Sequence, residues 1–161
     1  MSVKILTIKE DILGANAENA RGNRELVDKH HILFVEPAMD TNTGIVSALE
    51  PLKDSHGNRD PLQAYAPHGY DIVTDTDSLQ LTSNARVELI FRRHAEKARE
   101  LRMPMLVGEW GAYYLNQKAV EPARFVISQF DLHGCSDTYW SYEPKLGQSP
   151  FLDALRRSMT R

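Results

Sequence analysis

The chain has 161 residues, 42% of them hydrophobic, which is enough for one domain with a buried core. Its 19 basic and 22 acidic residues give a net charge of −3, so no basic surface for nucleic acid is expected. The single cysteine, Cys135, excludes an internal disulfide and a cysteine-based zinc site, and we expect it to be a small buried thiol. No segment reaches the roughly 20 apolar residues of a membrane span, and the N-terminus lacks the apolar core of a signal peptide. The chain as it stands is therefore expected in the cytoplasm.

The first half of the chain predicts two strands joined by a long loop. Residues 23–29 could form a helix that turns into a buried apolar strand at residues 32–35, which ends at Glu36. Residues 38–61 show no regular pattern, and irregular stretches of this length are uncommon in compact domains and often functional. Residues 65–71 are a second candidate strand, although a proline and a glycine weaken its pattern.

The second half alternates helices with strands. Its helices are indicated by apolar residues at helical spacing, by prolines in a first turn and by a glycine just past a helix end. The predicted elements are a helix over residues 87–101, a strand at 105–109, a helix between Pro122 and Gly134, a strand at 137–142 and a helix that opens at Ser149 and Pro150.

This order of elements indicates an α/β fold with parallel strands covered by helices. We assign it to a domain over residues 23–161. Residues 1–22 are expected to be an N-terminal segment, irregular or helical.

Carboxylates and aromatic residues stand at the end of every predicted strand. Active sites collect at the carboxyl ends of parallel strands, and glycosidic bonds are broken by paired carboxylates. A tyrosine hydroxyl or an imidazole beside a carboxylate nucleophile can hold it in line. The residues in these positions are Glu36 on the first strand, His68 and Tyr70 on the second, Glu109 and Trp110 on the third, and Trp140 on the fourth, with Glu143 just beyond.

The third strand carries the strongest of these signals. An apolar run ends in Glu109, between two glycines and next to Trp110, within residues 105–111. A carboxylate at the tip of a buried strand occupies the position that a barrel enzyme uses for catalysis. The alternative is a strand that ends in a solvated glutamate.

Four segments resemble strands five to eight of glycoside hydrolase family 5, most closely its endoglycoceramidase-like branch. The resemblance covers residues 23–155 and rests on these segments in this order: residues 31–37 (HILFVEP), 65–70 (YAPHGY), 106–111 (LVGEWG) and 138–142 (TYWSY). It implies that Glu109 is the nucleophile of a retaining mechanism and that His68 and Tyr70 are its neighbours. It also implies that Trp140 is the platform under the sugar at the cleavage point.

The resemblance implies only the C-terminal half of an eight-stranded TIM barrel, a (β/α)4-like unit with its helices outside. The family's acid/base glutamate lies in an Asn-Glu-Pro motif on strand four, and this chain contains no such motif. A half barrel leaves its inner face and both edge strands uncovered, and a second copy related by a two-fold axis could cover them. We therefore predict a homodimer or a higher oligomer. In such a dimer, Glu143 of one copy could act as acid/base opposite Glu109 of the other, unless Glu143 is only a solvated loop residue.

The other predicted site residues could also have purely structural roles. Glu36 could be a sugar contact, although the favoured interpretation is that it only forms a salt bridge or faces solvent. Trp110 is a further candidate for substrate contact. His68 and Tyr70 could be ordinary partly buried polar residues, and a tryptophan on a strand, such as Trp140, is usually part of a core.

The remaining histidines and aspartates predict no cofactor. His94 lies on the apolar face of its helix and is expected to be packed in the core, and the scattered histidines lack the spacing of metal ligands. Asp71, Asp75 and Asp77 could hold calcium, although solvated turn residues are the favoured interpretation. We therefore expect neither a metal nor a cofactor.

Three functions are compatible with these patterns. The favoured one is hydrolysis of β-glycosidic bonds in cellulose-type glucans, aryl glycosides or glycolipid headgroups, by a retaining mechanism with Glu109 as nucleophile. The alternative is a catalytically impaired carbohydrate-binding or relic protein that keeps the platform of Trp140. The third is a purely structural chain that folds by pairing with itself.

Overall fold

The computed structural model describes residues 6–9, 30–74, 76 and 78–159. They form an α/β fold in which, from β3 onwards, short strands alternate with longer helices. The strands are β1 (Leu6–Lys9), β2 (Leu33–Glu36), β3 (Gln63–Tyr65), β4 (Leu106–Gly111) and β5 (Ser136–Trp140), and the helices are α1 (Asn84–Leu101), α2 (Val120–His133) and α3 (Leu152–Met159).

All five strands run parallel. β1, β2 and β3 form one sheet in this order, and β4 pairs with β5 in a second one. Two isolated parallel bridges, Tyr65 with Met105 and His68 with Glu109, join the sheets at the boundary between β3 and β4. The predicted class of parallel strands with helices is therefore confirmed. The carboxyl ends of all five strands consequently point to the same edge.

Strand β1 corrects the expectation for residues 1–22, which we predicted to be irregular or helical. Leu6–Lys9 is extended and pairs in parallel with β2 along its whole length. The segment contains β-branched Thr7 and Ile8, which suit a strand, but four residues are too few to be recognised without their partner. The helix suggested for residues 23–29 lies outside the described residues, and the domain boundary stays a prediction.

Helix α1 follows its sequence signals closely. Ser83 caps its first turn by accepting a hydrogen bond from the backbone N–H of Arg86, and Arg102 ends it in a left-handed conformation two residues before Pro104. Its apolar face is buried, and Ala98 and Leu101 pack against Tyr65 of β3. The helix thereby covers one face of the sheet.

The other two helices complete this covering layer. Helix α2 has Pro122 in its first turn, where a missing N–H is tolerated, and Gly134 past its end at φ 63°. Residues of α2 and α3 join one buried cluster with Val107 of β4. None of the described helices combines the length and apolar composition that a membrane crossing requires.

The opposite face of the sheet, on which none of the three helices described above packs, is here called the helix-free face. On β2, Leu33 and Val35 pack beneath the long loop that follows the strand, so that the alternating residues Phe34 and Glu36 point the other way. On β5, Tyr139 packs into the helix-covered core, and Trp140 therefore belongs to the helix-free face. This face carries the candidate site.

Candidate active site

A β-bulge in β4 turns Glu109 towards the helix-free face. Val107 lies opposite Asp137 of β5, and Trp110 lies opposite Tyr139. Between these two pairs, β4 therefore contains one residue more than β5. Val107 and Trp110 are both buried in the core beneath the helices. Regular alternation from Val107 would also have pointed Glu109 at the helices, and the extra residue reverses it.

The bulge is held from both neighbouring strands. The backbone N–H of Gly108 donates to the carbonyl of Pro67 at 2.8 Å, and the N–H of Gly69 donates to the carbonyl of Glu109 at 2.8 Å. On the other side, the hydroxyl of Thr138 donates to the carbonyl of Gly108. These bonds satisfy backbone groups that the irregular ladder would leave unpaired, and so they fix the position from which Glu109 projects.

Glu109 contacts both neighbours that the sequence predicted. The hydroxyl of Tyr70 donates to Oε2 of Glu109 at 3.2 Å, and Nε2 of His68 lies 3.7 Å from Oε1. The rings of His68 and Tyr70 meet edge to face, with their centroids 5.8 Å apart. The side chain of Glu109 is 30% exposed, so it is both held in place and accessible from outside. Such a carboxylate can act as an oriented nucleophile or bind a polar ligand.

Glu36 lies in the same cluster but is not placed to touch substrate. Its Oε1 is 2.9 Å from Nε2 of His68, and both side chains are only 7% exposed. The predicted sugar contact is therefore corrected to a buried contact between the carboxylate of Glu36 and the ring nitrogen of His68. The physical reason is that a buried carboxylate is costly unless a partner compensates its charge.

Trp140 occupies the end of β5 beside the end of β4. It pairs in register with Gly111, and 48% of its surface is exposed on the helix-free face. An exposed indole at this edge is the geometry that a sugar platform requires, although its role stays a prediction.

Trp110 is not part of the site, which corrects its predicted contact with substrate. The side chain is 0% exposed, and its Nε1 donates to a carboxylate oxygen of Asp137 at 2.7 Å. Three aromatic rings, those of Tyr113, Phe130 and Tyr139, surround it edge to face. The bulge that exposes Glu109 also turns its neighbour inwards.

Gly111 makes this inward packing possible. Its φ of 106° lies in a region that L side chains rarely adopt, and a Cβ here would collide with the ring of Tyr139. A glycine after the bulge therefore allows the aromatic core to reach the strand backbone.

Glu143 lies beside Tyr139 and is not brought to Glu109 within the chain. Burial raises the pKa of Tyr139 to about 12, and the neighbouring carboxylate of Glu143 adds to this. Oε1 of Glu143 is buried without a hydrogen-bond partner among the described residues. The residue as a whole is half-buried, and both the loop interpretation and the role as acid/base across a dimer stay predictions.

Two further side chains behave as core residues. His94 is packed as predicted, with Nδ1 3.0 Å from the hydroxyl of Tyr65, and its burial lowers its pKa to about 4. Cys135 is half-buried, and desolvation raises the pKa of its thiol to about 11, so it is not a reactive thiolate at neutral pH.

Asp71 is neither a solvated turn residue nor arranged as a calcium ligand. Its buried carboxylate accepts from the backbone N–H of Ser83 at 2.8 Å and pairs with Arg86 at 3.1 Å. It thereby ties the loop after Tyr70 to the start of α1, a role that sequence reasoning missed because both partners lie on another element. Asp75 and Asp77 lie outside the described residues. Within the described ranges, no group of three or more histidine, cysteine or acidic side chains is arranged to hold a metal ion.

Comparison with known proteins identifies similar solved structures. No protein-family model matches the chain, and no curated protein matches it either. Endo-glycoceramidase II from Rhodococcus sp., in complex with a five-membered iminocyclitol, is 25% identical over 89% of this chain and 35% of its own, with a TM-score of 0.70. Its lactosyl-enzyme intermediate is 24% identical over 89% of this chain and 34% of its own, also with a TM-score of 0.70. An endogalactoceramidase is 22% identical over 92% of this chain and 31% of its own, with a TM-score of 0.62.

These similarities confirm the resemblance that the sequence indicated. The chain fits a partial domain like those of family 5 glycoside hydrolases of the endoglycoceramidase type. It spans about a third of the length of these similar structures.

Proposed function

We propose that this chain carries the nucleophile side of a retaining β-glycoside hydrolase site, with Glu109 as the nucleophile. The observation that carries the proposal is the contact of Glu109 with both Tyr70 and His68 at the carboxyl ends of parallel strands. The proposed substrates are β-glycosides of the cellulose type or of glycolipid headgroups. A lactosyl-enzyme intermediate among the similar structures supports this class, because a retaining mechanism forms a glycosyl-enzyme.

In the proposed step, an oxygen of Glu109 attacks the anomeric carbon of the sugar. A bond from that carbon to the carboxylate forms while the bond to the leaving oxygen breaks, and the leaving group departs with the electron pair. Tyr70 holds the second carboxylate oxygen, which orients the nucleophile before substrate arrives. Trp140 provides a face for the sugar ring beside it.

The test uses a substrate that needs no general acid. In a dinitrophenyl 2-deoxy-2-fluoro-β-lactoside, the dinitrophenolate leaves without a proton, and the fluorine slows hydrolysis of the glycosyl-enzyme. We expect the intact mass to rise by one fluorolactosyl group and peptide mapping to locate that group on Glu109.

Two matched variants serve as controls for the labelling. Glu109→Gln removes the nucleophile and should abolish labelling. Glu121→Gln makes the same change at an exposed glutamate of α2 and should be labelled at the wild-type rate. A wild-type chain that stays unlabelled, or carries the sugar at another residue, would contradict the proposal.

Self-association is proposed to complete the site as a closed barrel. The helix-free face exposes apolar surface, including 46% of Ile32 and 48% of Trp140, and a second copy related by a two-fold axis would cover it. Size-exclusion chromatography with light scattering should give the mass of a dimer or of a multiple of it. A folded monomer at micromolar concentration would contradict this part of the proposal.

Glu143 of the second copy is the proposed general acid. Glu143→Gln should then slow hydrolysis of a lactoside with a poor leaving group but leave labelling by the activated fluorosugar unchanged. Equal hydrolysis of the unactivated lactoside by wild type and variant would exclude Glu143 from this role.

Carbohydrate binding without catalysis is a second candidate function, which the exposed indole of Trp140 favours. It predicts that lactose binds in titration calorimetry although Glu109 is not labelled. The absence of both binding and labelling would exclude both functions.

A further inference from the structure

The contact between Glu36 and His68 affects which hydrogen bonds the proposed nucleophile, Glu109, can accept. Glu36 ends β2, and its carboxylate lies 2.9 Å from Nε2 of His68, which is hydrogen-bonding distance. The side chain is only 7% exposed, so a sugar could not reach it without displacing its neighbours. The carboxylate therefore acts on the site through the histidine.

The same nitrogen also faces the nucleophile, but from further away. Nε2 of His68 is 3.7 Å from Oε1 of Glu109, which is too long for a hydrogen bond. This nitrogen carries at most one proton, and the nearer acceptor is Glu36. Among the described residues, the hydrogen bond to Glu109 comes from Tyr70 and goes to the other oxygen, Oε2.

Because Tyr70 donates to Oε2 and His68 lies nearer to Glu36, Oε1 of Glu109 is left as the attacking oxygen. A hydrogen bond to a nucleophilic oxygen engages one of its lone pairs and lowers its nucleophilicity. If Nε2 carries its proton, the 2.9 Å contact makes Glu36 the acceptor, and the imidazole lies 3.7 Å from Oε1 of Glu109 without donating to it.

We propose that Glu36 is a positioning residue that holds the Nε2 proton of His68 away from Glu109 and so keeps the nucleophile's Oε1 free for attack. The inference rests on the proposed function of Glu109 as nucleophile. It predicts that removing the acceptor at Glu36 lets the His68 proton turn to Oε1 and slows formation of the glycosyl-enzyme.

The first test does not require activity. NMR of the imidazole protons should show a protected, downfield Nε2–H signal for His68, assigned by its loss in His68→Gln. In Glu36→Ala this signal should shift or broaden, and in Glu36→Gln, whose amide oxygen still accepts, it should remain but move upfield. An unchanged signal in both variants would overturn the inference.

The second test is the rate of labelling by the dinitrophenyl fluorolactoside. Glu36→Ala should be labelled about 10- to 100-fold more slowly, the change that one hydrogen bond to a charged group carries. Glu36→Gln should stay within about threefold of wild type, since it keeps an acceptor for the proton. Glu36→Gln also covers the case in which Glu36→Ala does not fold.

The two tests separate the inference from the function on which it rests. Wild-type labelling rates in a folded Glu36→Ala variant would overturn the role of Glu36 and leave Glu109 as nucleophile. Failure to label even the wild-type chain would overturn the proposed function, and the NMR signals would still decide whether Glu36 holds the His68 proton. Equal slowing in Glu36→Gln and Glu36→Ala would overturn the inference, because it would show that charge rather than acceptance matters.

Discussion

The two faces of β4 and β5 have opposite environments. On the helix-covered face, Val107, Trp110 and Tyr139 are packed in a dense aromatic and aliphatic core. On the helix-free face of the same strands, Glu109 and Trp140 are partly open to solvent. One face stabilises the fold, and the other carries the groups that could do chemistry. Substitutions on the two faces should therefore change different measured quantities.

The largest change in stability is expected from Trp110→Ala on the helix-covered face. Loss of a fully buried indole among three aromatic rings should lower the free energy of unfolding by about 3–5 kcal/mol. Urea denaturation followed by circular dichroism measures the change. Trp110→Phe, which keeps a ring but loses the bond to Asp137, should cost clearly less. A loss below about 1 kcal/mol for Trp110→Ala would show that the core is not packed as described.

Acid should lower the free energy of unfolding through His94, which is buried on the apolar face of α1. Burial lowers its pKa from 6.5 to about 4, so between these values the unfolded chain binds a proton that the native chain excludes. The stability associated with neutral His94 is fully present above pH 6.5, and about 3 kcal/mol of it is lost as the pH falls to 4.

The control for this effect is His94→Gln, which cannot titrate. Subtracting its unfolding free energy from that of the wild type at each pH cancels the contributions of other groups. A difference that stays constant from pH 7 to pH 4 would contradict the burial of a neutral imidazole.

On the helix-free face, Tyr70→Phe should change kinetics more than stability. The substitution removes the hydroxyl that holds Oε2 of Glu109, and labelling by the activated fluorosugar should slow about 10- to 100-fold. Tyr142→Phe removes a hydroxyl from a residue that is 83% exposed and should leave the rate unchanged. Equal rates for Tyr70→Phe and wild type would show that this hydroxyl does not orient the nucleophile.

The smallest change is expected from Trp140→Ala. Its effect on unfolding should stay below about 1 kcal/mol because half of the side chain is already exposed. The affinity for lactose in titration calorimetry should fall about three- to tenfold, the contribution of one aromatic face. A large loss of stability together with unchanged affinity would assign Trp140 to the core after all.

Much of the fold was predictable because its signals are local. The apolar run before Pro104, the cap at Ser83 and the glycine at position 134 define helix limits within the chain itself. β1 was not predictable in this way, because its four residues gain their structure by pairing with β2, which is distant in sequence.

The residues of the site were predictable from the sequence, but the directions of the side chains on β4 were not, because they depend on the bulge. His68, Tyr70 and Glu109 were expected to meet because they end parallel strands, and they do. Trp110 was wrongly assigned to substrate contact, because no local sequence pattern indicates the extra residue in β4 that turns its side chain inwards. The contact between Glu36 and His68 depends on the geometry of two different strands, and the sequence could offer it only as one of two alternatives.

The irregularity in β4 also affects how this chain should be compared with others. Gly108 and Glu109 of β4 together lie opposite a single residue of β5, and this bulge is why the carboxylate at position 109 points away from the helices. Deleting Gly108 would restore regular pairing with β5 and leave Glu109 and Trp110 on the faces that they occupy now. A related strand that is one residue shorter here and pairs regularly would therefore present the same acid and the same indole, and a single gap at position 108 is the correct way to align it.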